Sequence, residues 1–185
     1  MHRSIFLALA FALAATRSLA DESPDRLSGD DVAVLEGVVH DLCMSDDIRR
    51  VAVSDEPEVR ENRPELPDAL LEREYGARLE ARAAETTLWP RTPLCVNVPM
   101  VSGERIEELF AQDKRIPPGR DEYQKEFGVE AYVTVSRPAY STNASRAVVT
   151  YGYHCGELCG RGEIIELVRT VNGWRVLRTF HAPRS

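Results

Sequence analysis

Four cysteines, Cys43, Cys95, Cys155 and Cys159, carry the most evident chemistry in this sequence. In an oxidising compartment they most simply close two disulfides, and four cysteines admit three connectivities. Cys155 and Cys159 lie close together at the two ends of what reads as a tight hairpin, so they are paired here, which leaves Cys43 with Cys95. Two sharper uses compete with that reading. Cys155 and Cys159 could act as a thiol redox partner, although thioredoxin-type pairs use a two-residue spacer at a helix N-terminus. With His154 and help from Glu157 they could also hold zinc, which takes thiolates and imidazoles. Adjacent strand residues face opposite sides of a sheet, however, so His154 and Cys155 diverge. No metal and no cofactor is expected.

His154, Glu157, Glu163 and His181 form a second group, polar side chains around the same hairpin that could touch a ligand. An enzyme would need two or more of them to converge in a concave pocket. No catalytic residue is assignable. There is no Gly-x-Ser-x-Gly elbow. Glu107-Glu108 and Asp121-Glu122 are adjacent pairs that diverge on a helix and read as solvated faces, whereas glycosidase chemistry needs two carboxyls from separate elements. Gly160-x-Gly162 follows a hairpin rather than opening a helix, so it is no phosphate loop. His40 reads as a partly buried structural histidine.

These residues need elements to position them. Val32, Leu35, Val39 and Leu42 predict a helix over about 31–43, capped by Asp30. Residues 50–54 read as a short strand and 55–67, with three prolines and many charges, as a loop. Asp68 caps a second helix over about 69–84, with Leu71, Tyr75, Leu79 and Ala83 on one face and a Glu74–Arg78 surface pair. A connector holding Trp89 and Pro90 leads to a possible strand at 96–101, then to short helices at 104–110 and 123–127. Strands follow at 132–137, 146–155, 163–171 and 174–180.

Asn172-Gly173 reads as a two-residue hairpin turn, placing Val171 opposite Trp174 and Ile165 opposite Phe180. The preceding hairpin sets Val149 opposite Ile165, Ala147 opposite Leu167 and Thr150 opposite Ile164. One face then collects Ala147, Val149, Ile165, Leu167, Val171, Trp174, Val176 and Phe180. The other mixes Thr150, His154 and Glu166 with Val148 and Ile164, so something is expected to cover part of it, with a helix of the same chain as the simplest cover.

At the N-terminus, His2 and Arg3 precede an apolar run of eleven residues from Ile5 to Ala15, and Ser18-Leu19-Ala20 suits a signal-peptide cleavage site. A run that short does not cross about 30 Å of hydrocarbon as a helix. Lys+Arg is 23 against Asp+Glu 30, a net charge of −7. The leader carries Arg3 and Arg17 and no acid, so its removal leaves a still more acidic chain. A nucleic-acid partner is therefore not expected, nor is membrane insertion after cleavage.

The segment from about 117 to 180 resembles a family of uncharacterised exported bacterial proteins. Ser136 with Tyr140, the run Ala147-Val148-Val149-Thr150-Tyr151, the box Cys155-Gly156-Glu157-Leu158-Cys159-Gly160, and Asn172-Gly173-Trp174-Arg175-Val176 carry the resemblance. It implies the sheet and paired cysteines, and no activity. The expectation is a signal peptide (1–20), a flexible start (21–30) and one disulfide-stabilised α+β domain (31–185). N-terminal helices would pack with a C-terminal antiparallel meander. The expected role is an exported, periplasmic or secreted, non-catalytic binding or accessory protein for a protein or small-molecule ligand. The alternatives are a cell-envelope hydrolase and a thiol redox partner.

Overall fold

The computed structural model describes residues 27–44, 51–58, 66–92, 94–95, 98–112, 120–155 and 160–181. The leader-like segment, Glu157 and Cys159 lie outside them. The described residues form helices α1 (Gly29–Met44), α2 (Ala69–Ala83), α3 (Gly103–Gln112) and α4 (Arg120–Phe127). The strands are β1 (Val51–Ser54), β2 (Met100–Val101), β3 (Ala131–Val135), β4 (Ala139–Tyr140), β5 (Arg146–His154), β6 (Arg161–Thr170) and β7 (Gly173–His181). The class is α+β.

One seven-stranded mixed sheet runs β2-β1-β3-β5-β6-β7, with β4 also paired to β5. The C-terminal strands β5, β6 and β7 form an antiparallel meander, with Val149 opposite Ile165 and Ala147 opposite Leu167. The N-terminal strands extend the same sheet in parallel: Val53 faces Met100 on one side and Val133 on the other. All four residues of β1 are buried, as befits a parallel strand covered on both faces.

The last hairpin differs from the expected register. Thr170 pairs with Gly173 and Arg169 with Trp174, so the loop residues are Val171 and Asn172. Only Gly173 of this turn takes a positive φ, 101°. The Thr170 hydroxyl donates to the Gly173 carbonyl at 2.7 Å and accepts from the Asn172 N–H at 3.2 Å, which stabilises the shifted turn. A bulge at Glu166/Leu167 then shifts the register again, and Phe180 lands opposite Ile164. Phe180 therefore leaves the expected face and packs on the other one, while Val171 is fully exposed at the turn tip.

Caps and pairs are also redistributed. Ser28, not Asp30, caps α1: its hydroxyl accepts from the Asp31 N–H at 3.1 Å and the Asp31 carboxylate accepts from the Ser28 N–H at 3.4 Å. This reciprocal box satisfies two backbone donors at once, and Asp30 turns outward to Arg169. Asp68 caps α2 as expected, accepting from the Leu70 N–H at 2.7 Å. Arg78 does not pair with Glu74; it donates to the Tyr140 carbonyl at 2.7 Å and the Thr142 hydroxyl at 3.0 Å. The Cys43–Cys95 disulfide joins α1 to the connector, across 52 residues of sequence. Cys155 is also disulfide-bonded.

The sheet has two differently covered faces. On one, α1 lays Val34, Leu35, Val38 and Val39 over Val53, Val133, Val149, Leu167 and Trp174. The approach is close: a Cβ on Gly37 would stand 2.8 Å from the Trp174 carbonyl oxygen. On the other face the cover is split. Leu71, Tyr75 and Leu79 of α2 sit on Val148 and Ile164. Ile106 and Leu109 of α3, with Tyr123 of α4, sit on Ala52 and Val101. The chain's own helices are thus the cover that the apolar residues of this face called for.

Candidate functional site

A cleft of about 410 Å³ opens on the doubly covered face. Its floor is Tyr132 and Thr134 of β3 and His154 of β5, which the antiparallel register sets side by side. One wall is Ser54, Glu56, Pro57 and Glu58, where the chain leaves β1; another is Gly103, Ile106 and Glu107 of α3; Thr86 and Leu88 complete it. The loop after β1 leaves the carboxyl end of a parallel strand, the usual place for ligands in sheets of this kind.

The connector that carries Thr86 and Leu88 is held firmly. Trp89 is buried; its backbone N–H donates to the Asp55 carbonyl at 2.7 Å and its ring N–H to the Val135 carbonyl at 3.0 Å. The buried Arg137 guanidinium lies 4.0 Å from the Trp89 ring centroid and donates to the carbonyls of Thr87 and Leu88. Burial lowers its pKa from the usual arginine value, and the stacked ring and carbonyls offset part of that cost.

On the floor, His154 lies flat on Tyr132, with ring centroids 4.6 Å apart and planes at 10°. The Thr134 hydroxyl donates to Glu58 Oε2, and His154 Nε2 stands 3.0 Å from the same hydroxyl and 3.7 Å from Glu58 Oε2. A hydroxyl has one proton to give, and an ionised carboxylate can only accept. The hydroxyl proton is directed at Glu58, and the roles of Thr134 and His154 in their own contact are set by the tautomer of the imidazole. The trio fits because residue 152 has no side chain: a Cβ there would stand 2.6 Å from Thr134 Oγ1, 2.7 Å from His154 Nε2 and 2.8 Å from Glu58 Oε2.

Glu56 stands over the start of α3, where a Cβ on Gly103 would meet its carboxylate carbon at 2.3 Å. Asp55 caps that helix, accepting from the Gly103 N–H at 2.8 Å, and its other oxygen takes Arg91. Partial burial raises the pKa of Glu56, followed by repulsion from Glu107, Asp55 and Glu104. The Tyr132 phenol is pushed up to about 12 by burial, with Glu58, Glu107 and Glu56 adding to it. Three glutamates line the cleft, and no lysine or arginine does among the described residues.

Among the described residues, the expected ligand-contact side chains His154, Glu163 and His181 are not brought together. His154 is in the cleft. Glu163 pairs with Tyr151 across the sheet and so faces the α1 side, where it is buried beside Arg161 and His181 at 3.3 and 3.7 Å. The bulge between β6 and β7 sets His181 opposite Glu163, away from His154. Cys155 follows β5, a strand end rather than a helix N-terminus. Glu107, read as a solvated face, lines the cleft, whereas its neighbour Glu108 pairs with Arg105 outside the cleft lining. Glu56, Glu58, Tyr132 and Thr134 were not singled out. The one signal available was the acidic Asp55-Glu56-Pro57-Glu58 run directly after an apolar strand. Its meaning depends on which strands flank β1, and those lie some fifty and eighty residues further on. No family model, curated protein or solved structure matches the chain.

Proposed function

We propose that this is an exported, non-catalytic binding protein whose ligand enters the cleft over Tyr132, Thr134 and His154. The observation that carries the reading is the split cover of one sheet face. Beside the α3–α4 pack, the segment after β1 and the Thr86–Leu88 connector leave a cleft of about 410 Å³ with mixed polar and apolar lining, within the size range of small-molecule sites. Export is supported by the leader-like residues 1–20 and by the Cys43–Cys95 disulfide, since disulfides persist in oxidising compartments. No helix of the described residues is long and apolar enough to cross a membrane.

The test is a small-molecule screen on ¹⁵N-labelled protein, read by the backbone amides of Tyr132, Thr134, Gly152 and His154. Compounds that move these amides and raise the unfolding temperature support the reading, because a ligand selective for the native state stabilises it by mass action. A screen that perturbs only amides elsewhere, or none, overturns it.

A further inference from the structure

We infer that the cleft recognises an organic cation, an alkylammonium or guanidinium group on an aliphatic stem. This rests on the reading of the cleft as a binding site and names the chemistry of its ligand.

The first argument comes from how the protein treats its other carboxylates. Four acidic side chains are buried outside the cleft lining, and each has an arginine: Asp31 with Arg82, Asp55 with Arg91, Glu163 with Arg161, and Glu166 with Arg146 and Arg178. The half-buried Glu56 and the exposed Glu107 face the cleft from two different elements, and no basic side chain of the described residues pairs with either. A guanidinium or ammonium from outside would repeat in the cleft the pairing found at those four positions. Charge-assisted bonds of that kind are the strong ones.

The cleft also has room and apolar surface for the stem. Glu56 and Glu107 are accompanied by Leu88 and Ile106, and Leu88 is 47% exposed. Long cationic side chains bury their methylenes on such surface while the charged head finds an acid. A compact divalent ion fits less well. It requires several oxygens converging on one point, and no cluster of three or more ligating side chains occurs among the described residues. Burial is the first cause of the upward shifts at Glu56 and Tyr132, and the neighbouring glutamates that add to them are charges a bound cation would offset.

The experiment titrates the full ¹⁵N-labelled chain at low ionic strength with five probes: cadaverine, agmatine, a blocked alanyl-lysyl-alanine peptide, 1,5-pentanediol and glutarate. The amines are expected to move the amides of Tyr132, Thr134 and Gly152, and the diol and dicarboxylate to leave them in place. Glu56→Gln and Glu107→Gln should each weaken amine binding by about tenfold, the loss of one charge-assisted bond. Glu80→Gln, on the exposed side of α2, should bind as the parent does. Tighter binding of the peptide than of cadaverine supports a lysine or arginine side chain as the source, and the reverse supports a free amine. Amine binding unchanged in the Glu56→Gln/Glu107→Gln double variant overturns the inference. Diol or glutarate shifting these amides while amines are silent also overturns it and leaves the binding-site reading intact. Silence of every probe here, together with a blank small-molecule screen, overturns both.

Discussion

Thr134 and Gly152 are partners across β3 and β5, and the missing side chain of Gly152 is what allows the Thr134 hydroxyl to meet both Glu58 and His154. Gly152→Ala would drive a methyl group into all three polar atoms at 2.6–2.8 Å. Terminal atoms of Glu58 and His154 can rotate away, so the chain should still fold, with a loss of about 1 kcal/mol, the low end of overpacking costs. The amides of Thr134 and His154 should shift strongly and cleft binding should be lost. Unchanged binding in a folded Gly152→Ala protein would show that the trio is not the floor of a site. Amide spectra and thermal unfolding check both parts.

Glu56 predicts a pH signature. Its folded-state pKa is raised above 4.5, so between the unfolded and folded values the native state holds a proton that the unfolded chain has released. Stability then falls as pH rises through that window, and the full deficit remains above it. Glu56→Gln should therefore be more stable than the parent at pH 7, by no more than about 0.5 kcal/mol because solvent screens a partly exposed group. The difference should vanish as pH falls below 4.5. Urea unfolding at several pH values measures this. An advantage that grows toward low pH would contradict it.

Gly37 predicts a stability effect of a different kind. A Cβ there meets the Trp174 backbone oxygen at 2.8 Å and its Cβ at 2.9 Å. Neither atom is the end of a flexible side chain, so α1 would have to lift from β7. Gly37→Ala should cost about 2–3 kcal/mol by overpacking, despite the better helix propensity of alanine. Chemical denaturation gives the number, and a neutral or stabilising result would mean that α1 sits further from the sheet.

The Cys43–Cys95 bridge closes 52 residues that include β1, α2 and the held connector. Replacing both cysteines by serine should lower stability by about 2–4 kcal/mol through the freed unfolded chain. At roughly 2–4 °C per kcal/mol for a protein of this size, calorimetry would register the change easily. Cleft binding measured well below the new transition should persist, because neither cysteine lines the cleft.

Much of this fold was determined locally, and those parts are legible in the sequence. The Asp68 cap and the Leu71, Tyr75, Leu79 stripe define α2 because caps and period are neighbouring-residue effects. The β5–β6 register followed from setting Cys155 opposite Cys159, a choice that also gathers one apolar face, and a one-residue slip would invert every side chain of that face. Local rules also mark where they fail. Asp30 was the expected cap, and reciprocity between Ser28 and Asp31 gave that place to Ser28. The Thr170 hydroxyl moved the turn by one residue, and the bulge that sent Phe180 across the sheet leaves no sequence mark of its own.

The candidate site belongs to tertiary structure. His154 was visible as a polar residue near a hairpin, but its neighbours in the cleft come from β1, α3 and β3, far away in sequence. Parallel pairing of β1 with β2 and β3 brings those segments together, and parallel strands need long crossovers whose partners no short window can identify. The same acidic run after β1 would be an ordinary charged loop on an outer strand. It lines a cleft here because β3 lies beside it and α3 rises opposite.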